Sequence, residues 1–341
     1  MPSVLSELRP PARPSLHPFW KYAATFALAG VTLYLAFRGV DWRQVGRLVA
    51  HCRVRYLLLG LACGAASYIV RAMRWRMLLS AREKLPPATV LWANAVGYLA
   101  NNYLPARAGE LVRTVMISSR SQLTKAYVFT TAMTERVVEL VILVLMAWGM
   151  SLTLPYRPAW VGRLMLLVAV GAIGGTAFLL LLPRMDRARE GLIARLPGGL
   201  RLKERLHDIA ESVTLALNAL RDPSRLARVA AVTAVVWTLD ATAAVIAAHA
   251  MGMQLMFPVA LLLGTGLALG NALPSTPGAL GISQFVAVTV LMPFGFTHTD
   301  AIAYILVAQA GNYVVITILG LVGLWRYRVS EVPAVATDPV R

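Results

Sequence analysis

Two stretches decide the fold of this chain, and they read Gly97-Tyr-Leu-Ala-Asn-Asn-Tyr-Leu-Pro105-Ala-Arg-Ala-Gly109-Glu110 and Gly266-Leu-Ala-Leu-Gly-Asn-Ala-Leu-Pro274-Ser-Thr-Pro-Gly278. Both contain Gly, four residues and then Asn-x-Leu-Pro-x-x-x-Gly, at a constant offset of 169 residues. Each ends an apolar segment with a proline, which a helix interior tolerates badly. Paired broken segments in the two halves of a membrane protein indicate a transport site. We therefore predict helix breaks with a gating role at Asn102, Pro105, Gly109, Asn271, Pro274, Pro277 and Gly278.

The composition places most of the chain in lipid. Of its 341 residues, 58% are hydrophobic and only 14% are charged, whereas a soluble domain has about a quarter charged residues. The net charge is +17, but the basic residues lie in short loops between apolar runs. This pattern is typical of membrane topology and of attraction to anionic headgroups, and it argues against nucleic-acid binding.

The sequence carries no recognisable catalytic or metal-binding motif. Its two cysteines, Cys52 and Cys63, have no metal-ligand spacing, and its five histidines form no ligand pattern. It contains no phosphate-binding glycine loop and no Ser/His/Asp arrangement. We therefore expect no cofactor, no metal and no enzymatic activity.

Hydropathy predicts an all-α polytopic membrane protein, because a span needs about 20 mostly apolar residues. About eight transmembrane helices are expected, plus re-entrant or broken helices. The eight spans are 20–37, 56–70, 88–104, 126–150, 160–182, 228–250, 255–273 and 300–325, and a weaker apolar run covers 279–295. The span at 56–70 is short and has room to extend at both ends.

The domain organisation follows from these spans. Residues 1–19 form a cytoplasmic tail, residues 20–328 form one transmembrane domain, and residues 329–341 form a disordered tail. The repeat cores are about 88–150 and 255–325. A polar segment, 183–228, has ten basic residues against six acidic ones and contains an apolar stripe of helical period. We interpret it as an amphipathic segment at the cytoplasmic surface.

The bias of Lys and Arg between loops gives an orientation. Segments 71–86 and 183–228 should be inside, and the loops at 151–159 and 251–254 should be outside. Spans 88–104 and 255–273 then run in opposite directions, which predicts an inverted repeat. The five arginines of the 38–55 loop would lie outside, against the rule. A serpentine model would place that loop inside, and its repeats would be parallel.

Six ionisable residues form the predicted site for a lipid headgroup. Glu110 and Arg113 share a helix face, as do Arg136 and Glu139. Glu135 lies about 16 Å along its span at ~1.5 Å per residue, near the bilayer midplane. A charge there is costly, so the carboxylate that Arg136 leaves unmatched needs Arg107 or Arg113 as a partner. The predicted headgroup site comprises Arg107, Glu110, Arg113, Glu135, Arg136 and Glu139. The alternative is a buried ionic cluster that only fixes helix packing.

Other polar residues in the spans carry weaker predictions. Asp240, in Trp237-Thr-Leu-Asp240, is a second ionic partner or a proton-coupling group. Asn102 and Asn271 precede the two breaks and are expected to cap the helices that follow.

The motif Asn-x-Leu-Pro105-x-Arg107-x-Gly109-Glu110-x-x-Arg113, followed by Glu135-Arg136, resembles the lysylphosphatidylglycerol synthase transmembrane-region family. The second-half motif Pro274-x-x-Pro277-Gly278-x-x-Gly281 is similar to that family too. The resemblance covers about 20–325 and implies a stand-alone member without the aminoacyl-transferase domain. Gln284 stands where relatives often have an acid, and the second half has no counterpart of Glu135-Arg136.

The resemblance implies a flippase-like protein of the bacterial inner membrane that moves an envelope lipid between leaflets. The lipid would be anionic, or of polyprenyl or hopanoid type. The expected partners are membrane lipids and no nucleic acid. The alternative function is a non-transporting scaffold for an envelope-biosynthesis enzyme, recruited through the basic 183–228 segment.

Overall fold

The computed structural model describes residues 30–31, 33–104, 108–154, scattered positions between 158 and 174, 200–218, 222–272 and 279–329. Within these residues the secondary structure is helical and contains no strand. The helices with defined bounds are α1 (Trp42–Ala50), α2 (Val54–Leu79), α3 (Pro87–Tyr103), α4 (Gly109–Ser118), α5 (Lys125–Ser151), α6 (Leu200–Asn218), α7 (Pro223–Ala250), α8 (Phe257–Ala272), α9 (Ile282–Leu291) and α10 (His298–Val329).

Long apolar helices identify a membrane protein. Among the described residues, α2, α7 and most of α10 have the length and apolar composition needed to cross a bilayer. Helix α5 is as long, with 27 residues, but it carries Glu135, Arg136 and Glu139 in its middle. The all-helical membrane fold predicted from the sequence is therefore confirmed at this level.

Two short helix pairs stand between the long helices. Helix α4 has 10 residues and α9 also has 10, or about 15 Å at ~1.5 Å per residue. That is half of the roughly 30 Å hydrocarbon core. Helix α4 packs against α3, and α9 packs against α8. Each pair is therefore a hairpin in which the second arm is too short to span.

Glycines at equivalent positions allow both hairpins to close tightly. A Cβ on Gly109 would lie 1.9 Å from the carbonyl oxygen of Gly97, so the backbones of α3 and α4 are in direct contact. A Cβ on Gly266, the equivalent of Gly97, would lie 2.8 Å from Val286 of α9. The repeated glycine of the sequence motif thus faces the short arm in both halves.

The order long helix, short pair, long helix occurs twice, and its first part keeps one offset. Helices α2 and α7 begin at Val54 and Pro223, and helices α3 and α8 end at Tyr103 and Ala272. Each of these pairs of boundaries differs by the 169 residues that relate the sequence motifs. The internal repeat therefore extends from the motif to the arrangement of helices.

Contacts between helix ends define two sides of the bundle. On one side, the backbone amide of Arg53 before α2 donates to the carbonyl of Ala250 at the end of α7 over 2.8 Å. On the other side, the amide of Gln122 before α5 donates to Glu83 after α2 over 2.9 Å. Helices α2 and α7 consequently pack antiparallel, and Gly60 of α2 lies against the α7 backbone near Ala243.

Two segments outside the predicted spans are helical. Residues 71–79 belong to α2, so the short span predicted at 56–70 extends into the basic segment 71–86 that was assigned to the inside. The guanidinium groups of Arg71 and Arg74 are paired inside the bundle and do not face the cytoplasm. The 38–55 loop contains α1, which Asp41 caps by accepting from the amides of Arg43 and Gln44.

The remaining boundaries differ by only a few residues from the predicted spans. The amphipathic helix covers 200–218, and residues 223–228 of the predicted polar segment already belong to α7. The tails 1–19 and 330–341, residues 183–199 and most of the spans 20–37 and 160–182 lie outside the described residues.

Candidate functional site

Six charged side chains form a closed ring of ion pairs between α2, α4 and α5. Positive and negative groups alternate around the ring, so that each side chain contacts two of opposite sign. Its members, in order of contact, are Arg74, Glu135, Arg113, Glu110, Arg136 and Glu139, which returns to Arg74. Three arginines and three glutamates make the ring neutral.

The most deeply buried links of the ring pass through Glu135. Its Oε1 accepts from Arg74 Nη2 at 2.7 Å, and its Oε2 accepts from Arg113 Nη1 at 3.0 Å. The carboxylate is therefore held between two guanidinium groups, one from α2 and one from α4. Charge-assisted pairs of this kind are stronger than neutral hydrogen bonds.

The other links close the ring. Glu110 contacts Arg113 at 2.5 Å and Arg136 at 2.9 Å. Glu139 contacts Arg136 at 2.9 Å and Arg74 at 3.3 Å. Because Glu110 reaches from α4 to α5, the short arm of the first hairpin is fixed to the long helix that follows it.

A further ion pair connects the ring to the second half of the chain. Arg71 of α2 contacts Glu139 of the ring and, at 2.5 Å, Asp240 of α7. The complete network therefore has four arginines and four acids and carries no net formal charge. Among the charged residues described, Asp240 is its one member from the second half.

Burial divides the network into a closed interior and an accessible edge. The side chains of Arg74 and Glu135 are 0% exposed, and that of Arg113 is 2% exposed. The side chains of Arg136 and Asp240 are 30% and 27% exposed. An approaching molecule would therefore meet one cationic and one anionic group first.

Polar and aromatic groups complete the surroundings. Thr233 of α7 accepts from Arg74 at 3.3 Å, and Asn94 of α3 accepts from Arg113 at 2.9 Å. The guanidinium of Arg113 stacks on Trp75 at 4.4 Å from the ring centroid. Desolvated stacking of this type stabilises a buried arginine.

The structure brings together most of the residues that the sequence singled out. Five of the predicted headgroup residues are in the ring, namely Glu110, Arg113, Glu135, Arg136 and Glu139. The predicted pairs Glu110–Arg113 and Arg136–Glu139 are confirmed, and Arg113 is the partner of Glu135. Asp240 is an ionic partner of Arg71. Arg107 lies outside the described residues.

Sequence reasoning missed Arg71 and Arg74. Both were counted in the basic segment 71–86 that was assigned to the inside, although they face the bundle on α2 and are 8% and 0% exposed. Their spacing of three residues, which places them on one helix face, was a usable signal. The offset of 169 residues was a second usable signal, because it relates Arg71 to Asp240.

The helix-break residues have a different arrangement from the one predicted. The amide of Gly109, at the start of α4, donates to the side chain of Asn101 at 2.9 Å, so Asn101 rather than Asn102 reaches this helix. The buried Asn102 Nδ2 has no partner among the described groups. Asn271 is exposed near the end of α8. Pro105, Pro274, Pro277 and Gly278 lie outside the described residues.

Neutral amides occupy the corresponding region of the second half. Gln284 is 0% exposed, accepts from the amide of Gly281 at 2.8 Å and donates to Gln309 at 2.7 Å. These contacts begin α9 and attach it to α10 without any charge. The two hairpins are therefore fixed by different chemistry.

A comparison with protein families identifies the family of this chain. The model described as the lysylphosphatidylglycerol synthase TM region matches residues 22–320. The chain belongs to this family. Every member of the ion network lies within the part that matches the lysylphosphatidylglycerol synthase TM region. A search of curated proteins found none that matches.

Proposed function

We propose that this member of the lysylphosphatidylglycerol synthase TM region family moves an envelope lipid between the leaflets of a bacterial inner membrane. The observation that carries the proposal is the neutral ion network inside a bundle of long apolar helices. Charges at membrane depth are expensive and are characteristically found on pathways for polar cargo.

We propose further that the two halves form an inverted repeat. Helices α2 and α7 are equivalent under the offset of 169 residues and pack antiparallel. Equivalent helices that pack antiparallel are related by a twofold axis in the plane of the membrane. The loop after α2 contains Arg82 and Lys84, which favours the cytoplasm for that end. The first hairpin would then enter from the cytoplasm and the second from the opposite face.

The headgroup would approach the accessible edge of the network. Arg136 offers a guanidinium to a phosphate, since a planar guanidinium binds phosphate through two parallel hydrogen bonds. Asp240 is the group for an amine or hydroxyl of the headgroup, or for a coupled proton. Arg107, in the segment before α4, remains a proposed contact for an anionic lipid, and the acyl chains would stay in the bilayer.

The driving force would be a lipid or ion gradient, or the protein would equilibrate the leaflets. We base this on the sequence, which contains no phosphate-binding glycine loop. A polyprenyl or hopanoid lipid is the second class of cargo, because such lipids also have a polar end that must cross the bilayer.

The test is leaflet exchange in liposomes that contain the purified chain. Fluorescent phosphatidylglycerol would be incorporated, and dithionite would report the fraction accessible in the outer leaflet over time. The native protein should exchange lipid faster than empty liposomes, and Arg136→Gln should abolish the gain. Arg82→Gln, an exposed change away from the network, is the matched control. Exchange no faster than in empty liposomes with phosphatidylglycerol, a polyprenyl phosphate or a hopanoid would refute the proposal.

A further inference from the structure

A second group of arginines lies on the opposite side of the bundle from the loop after α2. Helix α1 and its flanks contain Arg38, Arg43, Arg47, Arg53 and Arg55, and all five side chains are exposed. None of them forms a salt bridge with a carboxylate of the described residues. This side therefore carries concentrated positive charge without internal compensation.

The two nearby acids have other roles. Asp41 accepts from the backbone amides of Arg43 and Gln44 at 2.9 and 3.1 Å and caps α1. Asp300 of α10 accepts from Gln44 Nε2 at 3.2 Å and from the amide of Thr297 at 3.1 Å. These bonds attach α1 to α10 and leave the arginines free to bind an external anion.

The spacing of the basic residues gives α1 one cationic face. Arg43, Arg47 and His51 follow each other at intervals of four residues, so their side chains share a face. The like charges of Arg43 and Arg47 repel each other at this spacing. A bound anion would relieve that repulsion, which makes this face a receptor for negative charge.

An open groove of about 530 Å³ lies beside this face. It is lined by Gln44, Arg47, Leu48, His51 and Met251. Polar groups from α1 therefore line it together with the apolar Leu48 and with Met251, which follows α7. This mixture fits a molecule with an anionic head and an apolar body better than it fits a free inorganic ion.

The position of α1 is that of an interfacial helix. Trp42 and Val49 are 53% and 47% exposed, while Val45 is buried against the bundle. Exposed tryptophan next to arginine is typical of the boundary between headgroups and acyl chains. A lipid surface is therefore the environment that this helix meets.

We infer that α1 and Met251 form a binding site for the headgroup of an anionic phospholipid, with Arg43 and Arg47 as its phosphate ligands and His51 in the wall of the groove. The site is distinct from the ion network and would hold lipid whether or not the protein transports it. In the orientation proposed above it faces the outer leaflet, which gives the five arginines a reason to depart from the positive-inside rule.

The test measures which lipid surrounds α1. In a Cys52→Ser, Cys63→Ser background, Val49→Cys would be labelled with bimane and the full chain reconstituted in phosphatidylcholine. Equal mole fractions of dibrominated phosphatidylglycerol or dibrominated phosphatidylcholine would be added as quenchers. The anionic lipid should quench at least about threefold more strongly, because the basic face concentrates it.

Variants locate the effect. Arg43→Gln combined with Arg47→Gln and His51→Gln should bring the quenching ratio close to one. Arg82→Gln combined with Lys84→Gln, on the other side of the bundle, should leave the ratio unchanged. Elution as a single species in size-exclusion chromatography establishes that each variant is folded.

Three outcomes would overturn the inference. The first is equal quenching by the two lipids in the parent protein, and the second is a ratio that survives the triple substitution. The third is loss of the preference in millimolar inorganic phosphate at constant ionic strength, which would identify a soluble anion as the ligand. The quenching experiment does not measure leaflet exchange, so failure of the transport proposal would leave its outcomes unaffected.

Discussion

Arg71 and Asp240 are related by the offset that relates the two halves of the chain, and they bind each other through Nη2 and Oδ2 at 2.5 Å. In the inverted repeat proposed above, two equivalent residues would touch only near the axis that relates their helices. Here the position has acquired opposite charges, so that it forms an ion pair where an unchanged repeat would place two like groups. The pair joins the first-half network to α7.

A double-mutant cycle should show that this pair is coupled. Asp240→Leu alone leaves Arg71 with one acidic partner and should destabilise the protein towards the lower end of the ~3–5 kcal/mol expected for breaking a buried pair. Arg71→Met combined with Asp240→Leu should recover a large part of that loss, because no lone charge remains. Thermal unfolding in detergent measures both effects. Additive losses from the two single changes would contradict the prediction, and Asp208→Asn on exposed α6 is the control.

Glu135→Gln should be the most destabilising conservative change in the network. It removes the negative charge between Arg74 and Arg113, which are almost fully buried. We expect a loss of about 3–5 kcal/mol, since two guanidinium groups lose their common partner. The unfolding midpoint in detergent reports it. Glu211→Gln, an exposed residue of the same type on α6, should leave the midpoint unchanged, and similar midpoints for both variants would argue against a structural role for the ring.

Gly109→Ala should prevent the first hairpin from closing. The new Cβ would lie 1.9 Å from a backbone oxygen of α3, which cannot move without displacing the helix. Overpacking typically costs about 1–3 kcal/mol, and a backbone clash belongs at or above that range. Gly149→Ala is the control, because a Cβ there meets nothing within 4 Å. Yield and monodispersity of the two variants would decide the matter, and equal behaviour would refute the tight hairpin.

The two motif breaks should be accessible from opposite faces of the membrane. Ala106→Cys and Ser275→Cys in a background without Cys52 and Cys63 would be treated with a membrane-impermeant maleimide. One of the two variants should react in intact cells, and the other should react only in inside-out vesicles. Labelling of both positions from the same side would eliminate the inverted repeat and favour the serpentine model.

The transport and scaffold functions make opposite predictions for two regions. A transporter should lose activity on Arg136→Gln and tolerate deletion of 201–221 better, whereas a scaffold should show the reverse. Helix α6 contacts the start of α5 through Thr124 and Ser212 at 3.0 Å, so the deletion needs a check of folding by size-exclusion chromatography. Leaflet exchange and growth of a deletion strain that carries each variant provide the two readouts.

Much of the fold was accessible from the sequence, since apolar length and helix period report directly on spans. The ends of α3, α5 and α8 fall within about two residues of the predicted spans. Prediction was least accurate at the end of α2, where arginines lie inside the helix. Arg71 and Arg74 are charged residues of the kind that usually end a membrane span. Their acidic partners on α5 and α7 explain why α2 continues through them.

The site was predictable in part for a related reason. Intervals of three residues revealed Glu110–Arg113 and Arg136–Glu139, because two residues three apart on one helix are neighbours whatever the helix packs against. The link between Glu135 and Arg74 joins residues 61 positions apart and depends on how α2 packs on α5. The neighbouring amides Asn101 and Asn102 illustrate the same limit, because one residue of helical rotation decides which of them reaches α4.

The closed form of the ring has a consequence for how it can open. In a linear row of charges, breaking the last ion pair leaves the group at the end of the row without a counter-ion. Around the ring from Arg74 to Glu139, every charge has two neighbours, so one link can separate while each member keeps a counter-ion. A polar guest inserted between Arg136 and Glu110 would thus replace one contact at a time. The closed ring can therefore stay fully paired at rest and still open at one ion pair for a polar group.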